Sequence, residues 1–270
     1  MGTRLRTVDT VGWVLLAITA LLACRGAYAA PDKPEPPAAP AKEIKEERAL
    51  ELLRGMSDTL TKAKSLSFKA RSLVPFAVPT GQYVSLFASS RVVLQRPDKL
   101  YVETRGDLFA NDLYFNGKTM TAVALGKKHY SQRQAEGATI DAIVKDAYPG
   151  SDALAPFVEM LVSDPYAVLT KDLSSAIWVG QSEIGGVKTD HLAFTAKGLD
   201  WEIWIGTRDK LPRLMVVSYR DGERQPTFTV EFHDWKLDAP VSARTFNYTI
   251  PKGAVKLEFR PQNLAQPDER

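Results

Sequence analysis

Three histidines, His129, His191 and His233, set the limit on imidazole chemistry in this 270-residue chain. A shared metal needs its ligands within about 2 to 2.5 Å of the ion. His191 and His233 fall on predicted strands separated by two others, which at about 4.8 Å per strand sets them about 14 Å apart, so no metal site is assigned. Carboxylates suited to acid and base work are plentiful, Asp190, Asp200 and Asp234 among them. Each sits beside a strand end or an aromatic residue, where turn capping or solvent exposure accounts for it. A nucleophile is also missing: there is no G-x-S-x-G elbow, and the only cysteine, Cys24, precedes the part of the chain that can fold. Gly185-Gly186 lacks the following helix that would turn it into an anion cradle. The residues assign no catalytic group and no cofactor, and the expectation is a protein without enzymatic activity.

Cys24 belongs instead to an export signal. Arg4 and Arg6 precede an apolar run from Val11 to Cys24, too short at 14 residues for the roughly 20 that cross a bilayer as a helix. Two exits compete. Ala27-Tyr28-Ala29 is an A-x-A cleavage site that releases a soluble protein beginning at Ala30, whereas Leu21-Leu22-Ala23-Cys24 resembles a lipobox that leaves Cys24 lipidated and the protein anchored to a membrane. The soluble exit is favoured because Leu22 is an imperfect residue two positions before the cysteine. Residues 1–29 are thus read as the signal peptide. Residues 30–46, rich in Pro, Ala and charge, form a disordered linker, 47–260 the folded domain and 261–270 a flexible tail.

Processing removes Arg4, Arg6 and Arg25 against Asp9, which leaves 32 basic and 31 acidic side chains and a net charge of +1. With Lys and Arg interleaved with Asp and Glu, the basic stripe of a nucleic-acid binder is missing. A domain of this length needs no disulfide, and no cysteine remains to form one.

The elements that would position any site follow from periodicity. Ala49, Leu53, Met56, Leu60 and Ala63 recur by four and three, one face of an amphipathic helix. After Ser65 the period becomes two. Strands are predicted at 67–74, 83–94, 99–105, 111–116, 118–124 and 128–133, then at 177–184, 187–196, 199–206, 212–220 and 226–236, with 246–249 and 255–259 finishing the sheet. Asn116-Gly117, Gly185-Gly186 and Asp221-Gly222 supply hairpin turns. About eleven strands joined by short turns make an antiparallel meander, and a sheet this long tends to curl into a barrel or half-barrel. Between Arg133 and Ser175 the pattern is helical. Thr139 caps a helix carrying Ile140, Ile143, Val144 and Ala147 that stops at Pro149-Gly150; Leu154, Phe157, Val158 and Leu161 form a second apolar face; Asp164-Pro165 starts a third helix. These faces have one place to be buried, the concave side of the sheet.

Strand alternation identifies that side. Trp201, Ile203 and Ile205 oppose Asp200 and Glu202, and Phe228, Val230 and Phe232 oppose Thr229, Glu231 and His233; Trp204 breaks the pattern on the polar face. A closed eight-stranded barrel is filled by its own side chains, whereas a half-open sheet capped by helices has room for a cavity. Two outcomes stay open: a filled core, or a pocket lined by Phe157, Leu161, Trp201, Ile203, Phe228, Val230 and Phe232 that takes an acyl chain.

Several segments also carry a resemblance. Arg96-Pro97-Asp98-Lys99, Asn116-Gly117-Lys118-Thr119, Asp190-His191-Leu192-Ala193-Phe194, Asp200-Trp201-Glu202-Ile203-Trp204-Ile205, Leu211-Pro212-Arg213 and Thr245-Phe246 stand in an order that resembles a family of predicted periplasmic proteins of unknown function, domain-of-unknown-function family 2092. That family is similar to the superfamily of the periplasmic outer-membrane lipoprotein carrier. The resemblance implies the LolA-like fold, a mainly β, α+β curled antiparallel half-barrel with an N-terminal helix and a helical lid, in the periplasm of a Gram-negative bacterium. It implies a lipid or lipoprotein acyl chain as the ligand, for transport or sensing, by analogy alone. The alternative is an envelope interaction or regulatory sensor module with a filled core and a protein partner.

Overall fold

The fold was analysed in a computed structural model that describes residues 43–107, 110–124, 128–147, 157–220 and 226–258. Cys24, the cleavage sites, Pro149-Gly150, Leu154, Asp221-Gly222 and the tail 261–270 lie outside the described residues. The chain begins with β1 (Ile44–Lys45), within the segment expected as linker, and α1 (Glu47–Lys62). Six strands follow: β2 (Ser65–Ala77), β3 (Tyr83–Gln95), β4 (Lys99–Gly106), β5 (Ala110–Phe115), β6 (Thr119–Ala124) and β7 (His129–Gln134). After α2 (Ile140–Ala147), a 3-10 turn at Val158–Met160 and α3 (Pro165–Leu169) come β8 (Leu173–Ile184), β9 (Val187–Ala196), β10 (Leu199–Gly206), β11 (Pro212–Tyr219) and β12 (Thr227–Leu237). The last strand is β13 (Val255–Leu257). Residues 246–249, expected as a strand, instead close a 3-10 turn at Ala243–Phe246.

All thirteen strands belong to one large, curled, open sheet, but it is not a single meander. The order β1-β8-β9-β10-β11-β12-β2-β3-β4-β5-β6-β7-β13 puts β7 and β8 toward opposite ends. β12 returns to pair antiparallel with β2, Glu231 opposite Arg71 and Phe232 opposite Ala70, so two meanders are joined along β2. Pairing of β12 on β2 satisfies an edge that a single meander leaves open. The short strands β1 and β13 run parallel to β8 and β7 at the two ends.

Hairpin chemistry follows the expected turns. Gly185 and Gly186 have φ of 56° and 78° between β8 and β9, the left-handed pair that matches strand twist in a two-residue loop. Asn116 folds its side chain back to accept from the amides of Lys118 and Thr119, at 3.0 and 2.9 Å.

Helix α1 lies across the core face of the sheet. Sixteen residues rise about 24 Å, and the five spacings from β8 to β2 also span about 24 Å. Its start is fixed at β8, where the Glu46 amide donates to the Ala176 carbonyl at 2.9 Å and the Glu46 carboxylate accepts from the Trp178 amide at 2.9 Å. Its end is fixed beside β2 and β3: the Lys64 amide donates to Asp238 at 2.7 Å, and the Lys64 carbonyl accepts from Arg96 at 2.8 Å. Ala49, Leu53, Met56 and Leu60 are all buried, as their spacing requires. Burial of each large side chain contributes about 1.5–3 kcal/mol.

The opposite face of β4–β7 is covered by the chain after β12. Phe246 is buried there, the Tyr248 ring packs 5.4 Å from Tyr114 and 6.5 Å from Tyr130, and Asn116 donates to Asn247 at 2.8 Å. No described helix is long and apolar enough to cross a membrane.

Candidate ligand-binding site

The core face gathers the seven side chains singled out by strand alternation and helical spacing. Register places Trp201 opposite Val217 and Val217 opposite Phe228, while Ile203, Met215 and Val230 form the next row and Phe232 sits opposite Ala70. Phe157 and Leu161 come from the helical segment. All seven are at most 8% exposed and belong to one apolar cluster with α1. Phe68 links the two sources edge-on, its ring 6.0 Å from Phe157 and 5.7 Å from Phe232, and Trp201 stacks on Phe194 at 4.0 Å. Such edge and offset contacts add about 0.5–1.5 kcal/mol each beyond burial.

The helical segment is held down by a few polar contacts. Thr139 accepts from the Ala142 amide to cap α2, and Asp164 accepts from Ala167 at 2.9 Å to cap α3, with Pro165 at its first position. Leu161 and Phe157 do not share the expected second helix; Phe157 takes a left-handed φ of 62° and the chain makes a single 3-10 turn. Asp141 accepts from the Ser163 amide at 2.9 Å, tying α2 to the entry of α3, and the Tyr166 amide donates to Ser57 on α1 at 3.0 Å. Arg96, at the β3–β4 turn, donates to the carbonyls of Leu161 and Val162 at 3.1 and 3.2 Å. Burial depresses the Arg96 pKa, and nearby Asp141 partly restores it.

Two acidic side chains lie inside this layer. Asp190 neither caps a turn nor faces solvent: it is buried in the middle of β9 and accepts from the indole of Trp178 at 3.2 Å and the amide of Gln181 at 3.0 Å. Arg48 completes the group, 3.5 Å above the Trp178 ring and 4.0 Å from Asp190. Glu159 is 6% exposed in the 3-10 turn, and its Oε2 has no hydrogen-bond partner. Burial pushes its pKa up to about 8, so the carboxyl is protonated at neutral pH. Burial, with Glu159 nearby, pushes Tyr219 up to about 12.

Neither acid was visible as a core group in the sequence. In β9 the alternating residues Leu192 and Phe194 mark the core face, and extending that parity to Asp190 is the signal that finds it. Glu159 gives no such signal, because its placement depends on a 3-10 turn where the apolar spacing predicts an α-helix.

The other polar residues are scattered. His191 bonds Glu202 at 2.7 Å and stacks on Trp204 at 3.9 Å, which explains the aromatic on the polar face. His233 lies beside Asp234, whose pKa is lowered by Lys69 at 2.8 Å. Asp200 faces Arg220 at 3.7 Å, and His129 starts β7. No cluster of metal-ligating side chains occurs among the described residues.

Solved structures with a similar chain path include the MucA/MucB complex of Pseudomonas aeruginosa, with 14% identity over 75% of this chain and 61% of that one, at a TM-score of 0.40. The chain thus spans about three fifths of the length of the protein it matches there. The lipoprotein LppX of Mycobacterium tuberculosis is 10% identical over 74% of this chain and all of its own, with a TM-score of 0.41. A LolA superfamily protein of Nitrosomonas europaea is 9% identical over 74% of this chain and 97% of its own, with a TM-score of 0.36. No curated protein matches the chain. The family described as predicted periplasmic protein, DUF2092, matches residues 49–260, almost the whole of the folded sequence, and the chain belongs to that family.

Proposed function

We propose that this protein is a non-enzymatic periplasmic binder of an acyl chain, from a lipid or a lipoprotein, with the core face of the sheet as its binding surface and with α2, the 3-10 turn at Val158–Met160 and α3 as its lid. The observation that supports it most is the pairing of a large buried apolar layer with one protonated carboxyl, Glu159, that has an unpartnered oxygen. Sites for amphiphiles are mostly apolar with a small number of placed polar groups. A neutral carboxyl can both donate to and accept from an ester or carboxylic head at the end of an alkyl chain.

In this reading the lid opens by releasing the Arg96, Asp141 and Ser57 contacts, and the chain then takes the place of Phe157 and Leu161 against Trp201, Ile203, Phe228, Val230 and Phe232. Release at Ala30 gives a diffusible carrier. Acylation of Cys24 gives a tethered sensor, the second form that the N-terminal segment allows.

Native mass spectrometry of the protein purified from its own periplasm tests the reading, together with titration of a fluorescent fatty acid. The expected result is a copurifying mass in the lipid range and one saturable probe site, with Arg96→Ala accelerating probe exchange. No copurifying lipid together with no probe binding overturns it, as does isolation of the protein in stoichiometric complex with another protein and no lipid.

A further inference from the structure

The β2–β3 hairpin carries a feature that the core site does not use. Between Arg71 and Arg91 lie 19 consecutive residues without Asp, Glu, Lys, Arg or His, in a chain that is 25% charged. The end of this hairpin also pairs with no other strand among the described residues, and Pro226 and Thr227 line a shallow depression with Pro75 and Tyr83. Pairing of β12 along β2 stops at Leu73, opposite Thr229, and pairing of β4 along β3 stops at Ala88, opposite Gly106. From Val74 to Leu86 the two strands pair only with each other, through Val74–Leu86, Pro75–Ser85, Phe76–Val84 and Ala77–Tyr83. The turn closes with the Val78 amide on the Gln82 carbonyl at 2.9 Å. Four residues of each strand project about 14 Å.

Both faces of this projection are apolar. Leu73, Tyr83 and Phe87 are 46%, 42% and 43% exposed on the outer face, and Val74, Phe76, Val84 and Leu86 are half-buried on the other. An isolated two-stranded hairpin is marginal in water, and of the apolar residues on its two faces only Val74 packs against the core. Arg71 and Arg91 sit at the base of the outer face, opposite Glu231 and Glu103 in register, and neither forms an ion pair within 4.0 Å.

We propose that this hairpin tip docks the protein on a phospholipid bilayer that carries anionic headgroups. A protein surface covers one face of a hairpin, whereas the interfacial zone of a bilayer solvates both. Tyr83, Phe76 and Phe87 have the amphipathic or apolar rings favoured at that depth, and with the hairpin lying along the interface Arg71 and Arg91, on the same outer face as Leu73, Tyr83 and Phe87, come within reach of lipid phosphates. Pro75 removes a backbone donor from the tip, which disfavours pairing with a strand of another chain. Docking is shallow, because the outer backbone edges of the tip need water or headgroups as partners. The proposal is independent of the cargo reading, since the tip shares none of the seven core residues.

The test is flotation of the exported full-length chain, carrying Cys24→Ser so that no acyl group contributes, with vesicles of phosphatidylethanolamine and phosphatidylglycerol or of phosphatidylcholine alone. The expected result is cofloatation with the anionic vesicles, a loss of at least tenfold for the pair Leu73→Ser and Phe87→Ser, and a salt-sensitive loss for Arg71→Gln with Arg91→Gln. Val179→Ser, which removes an equally exposed apolar side chain on β8, should bind as the parent does. Thermal unfolding of each variant confirms that the fold is kept. The proposal is overturned if the parent does not float, if Val179→Ser loses as much as the hairpin pair, or if sedimentation shows a hairpin-dependent dimer without vesicle binding. Fatty-acid titration of the same variants reads the core site separately, so failure of one proposal leaves the other intact.

Discussion

Glu159 makes the stability of this protein depend on pH in a direction opposite to that of an ordinary surface carboxylate. Its pKa is 4.5 in a model peptide and is pushed up to about 8 in the fold, chiefly by burial. Between those values the folded chain holds a proton that the unfolded chain has released, so stability is greatest below pH 4.5 and declines as pH rises toward 8. The slope is up to about 1.4 kcal/mol per pH unit, and from pH 5 to 7.5 the loss is about 3 kcal/mol. Glu159→Gln removes the titrating proton and keeps the volume. The assay is thermal and urea unfolding of both proteins at pH 5, 6, 7 and 7.5 at constant ionic strength, read as the difference between them so that every other titrating group cancels. Relative to the parent, the variant should gain about 3 kcal/mol between pH 5 and 7.5, or about 6–12 °C in Tm for a domain of this size. A fixed offset from the buried amide does not alter this slope. A difference that is the same at pH 5 and pH 7.5 refutes the placement of the Glu159 carboxyl inside the apolar layer.

Other contacts give sharper local tests. Leu53→Ala, at the centre of the buried stripe of α1, should cost about 2–5 kcal/mol in urea unfolding, whereas the exposed Glu51→Ala on the same helix should change stability by less than about 0.5 kcal/mol. Asp190→Ala removes the buried acceptor of the half-buried Trp178 indole and the exposed Gln181 amide and should cost about 0.5–1.5 kcal/mol, with a measurable change in tryptophan fluorescence as the control for site. Arg96→Ala should raise amide exchange in residues 157–162 without raising it in β9 and β10, because its side chain holds the carbonyls of Leu161 and Val162 and, at the end of α1, that of Leu60, and none in those strands; uniform exchange across the sheet contradicts that role.

Much of the fold was legible because it rests on periodicity and turn chemistry. The four-and-three spacing of Ala49, Leu53, Met56 and Leu60 places α1, and alternation in β10 and β12 picks the buried face residue by residue. Strand order was less legible. Pairing of β12 with β2 joins positions about 160 residues apart, and no local pattern distinguishes that closure from a simple meander. The 3-10 turn at Val158–Met160 was missed for a related reason: Phe157, Val158 and Leu161 have helical spacing, but a left-handed Phe157 and the Arg96 clamp decide the local conformation. The polar members of the site, Glu159, Asp190 and Arg96, owe their roles to partners far along the chain, which composition and short-range spacing do not encode.

The central claim, an acyl chain held against the core face beneath the lid, is tested most directly by photolabelling with a diazirine-bearing fatty acid and mapping the adducts by peptide mass spectrometry. Adducts are expected in the peptides containing Phe157–Leu161, Trp201–Ile205 and Phe228–Phe232, competed by unlabelled fatty acid. Adducts confined to the 73–87 hairpin, or none that unlabelled fatty acid competes, contradict it.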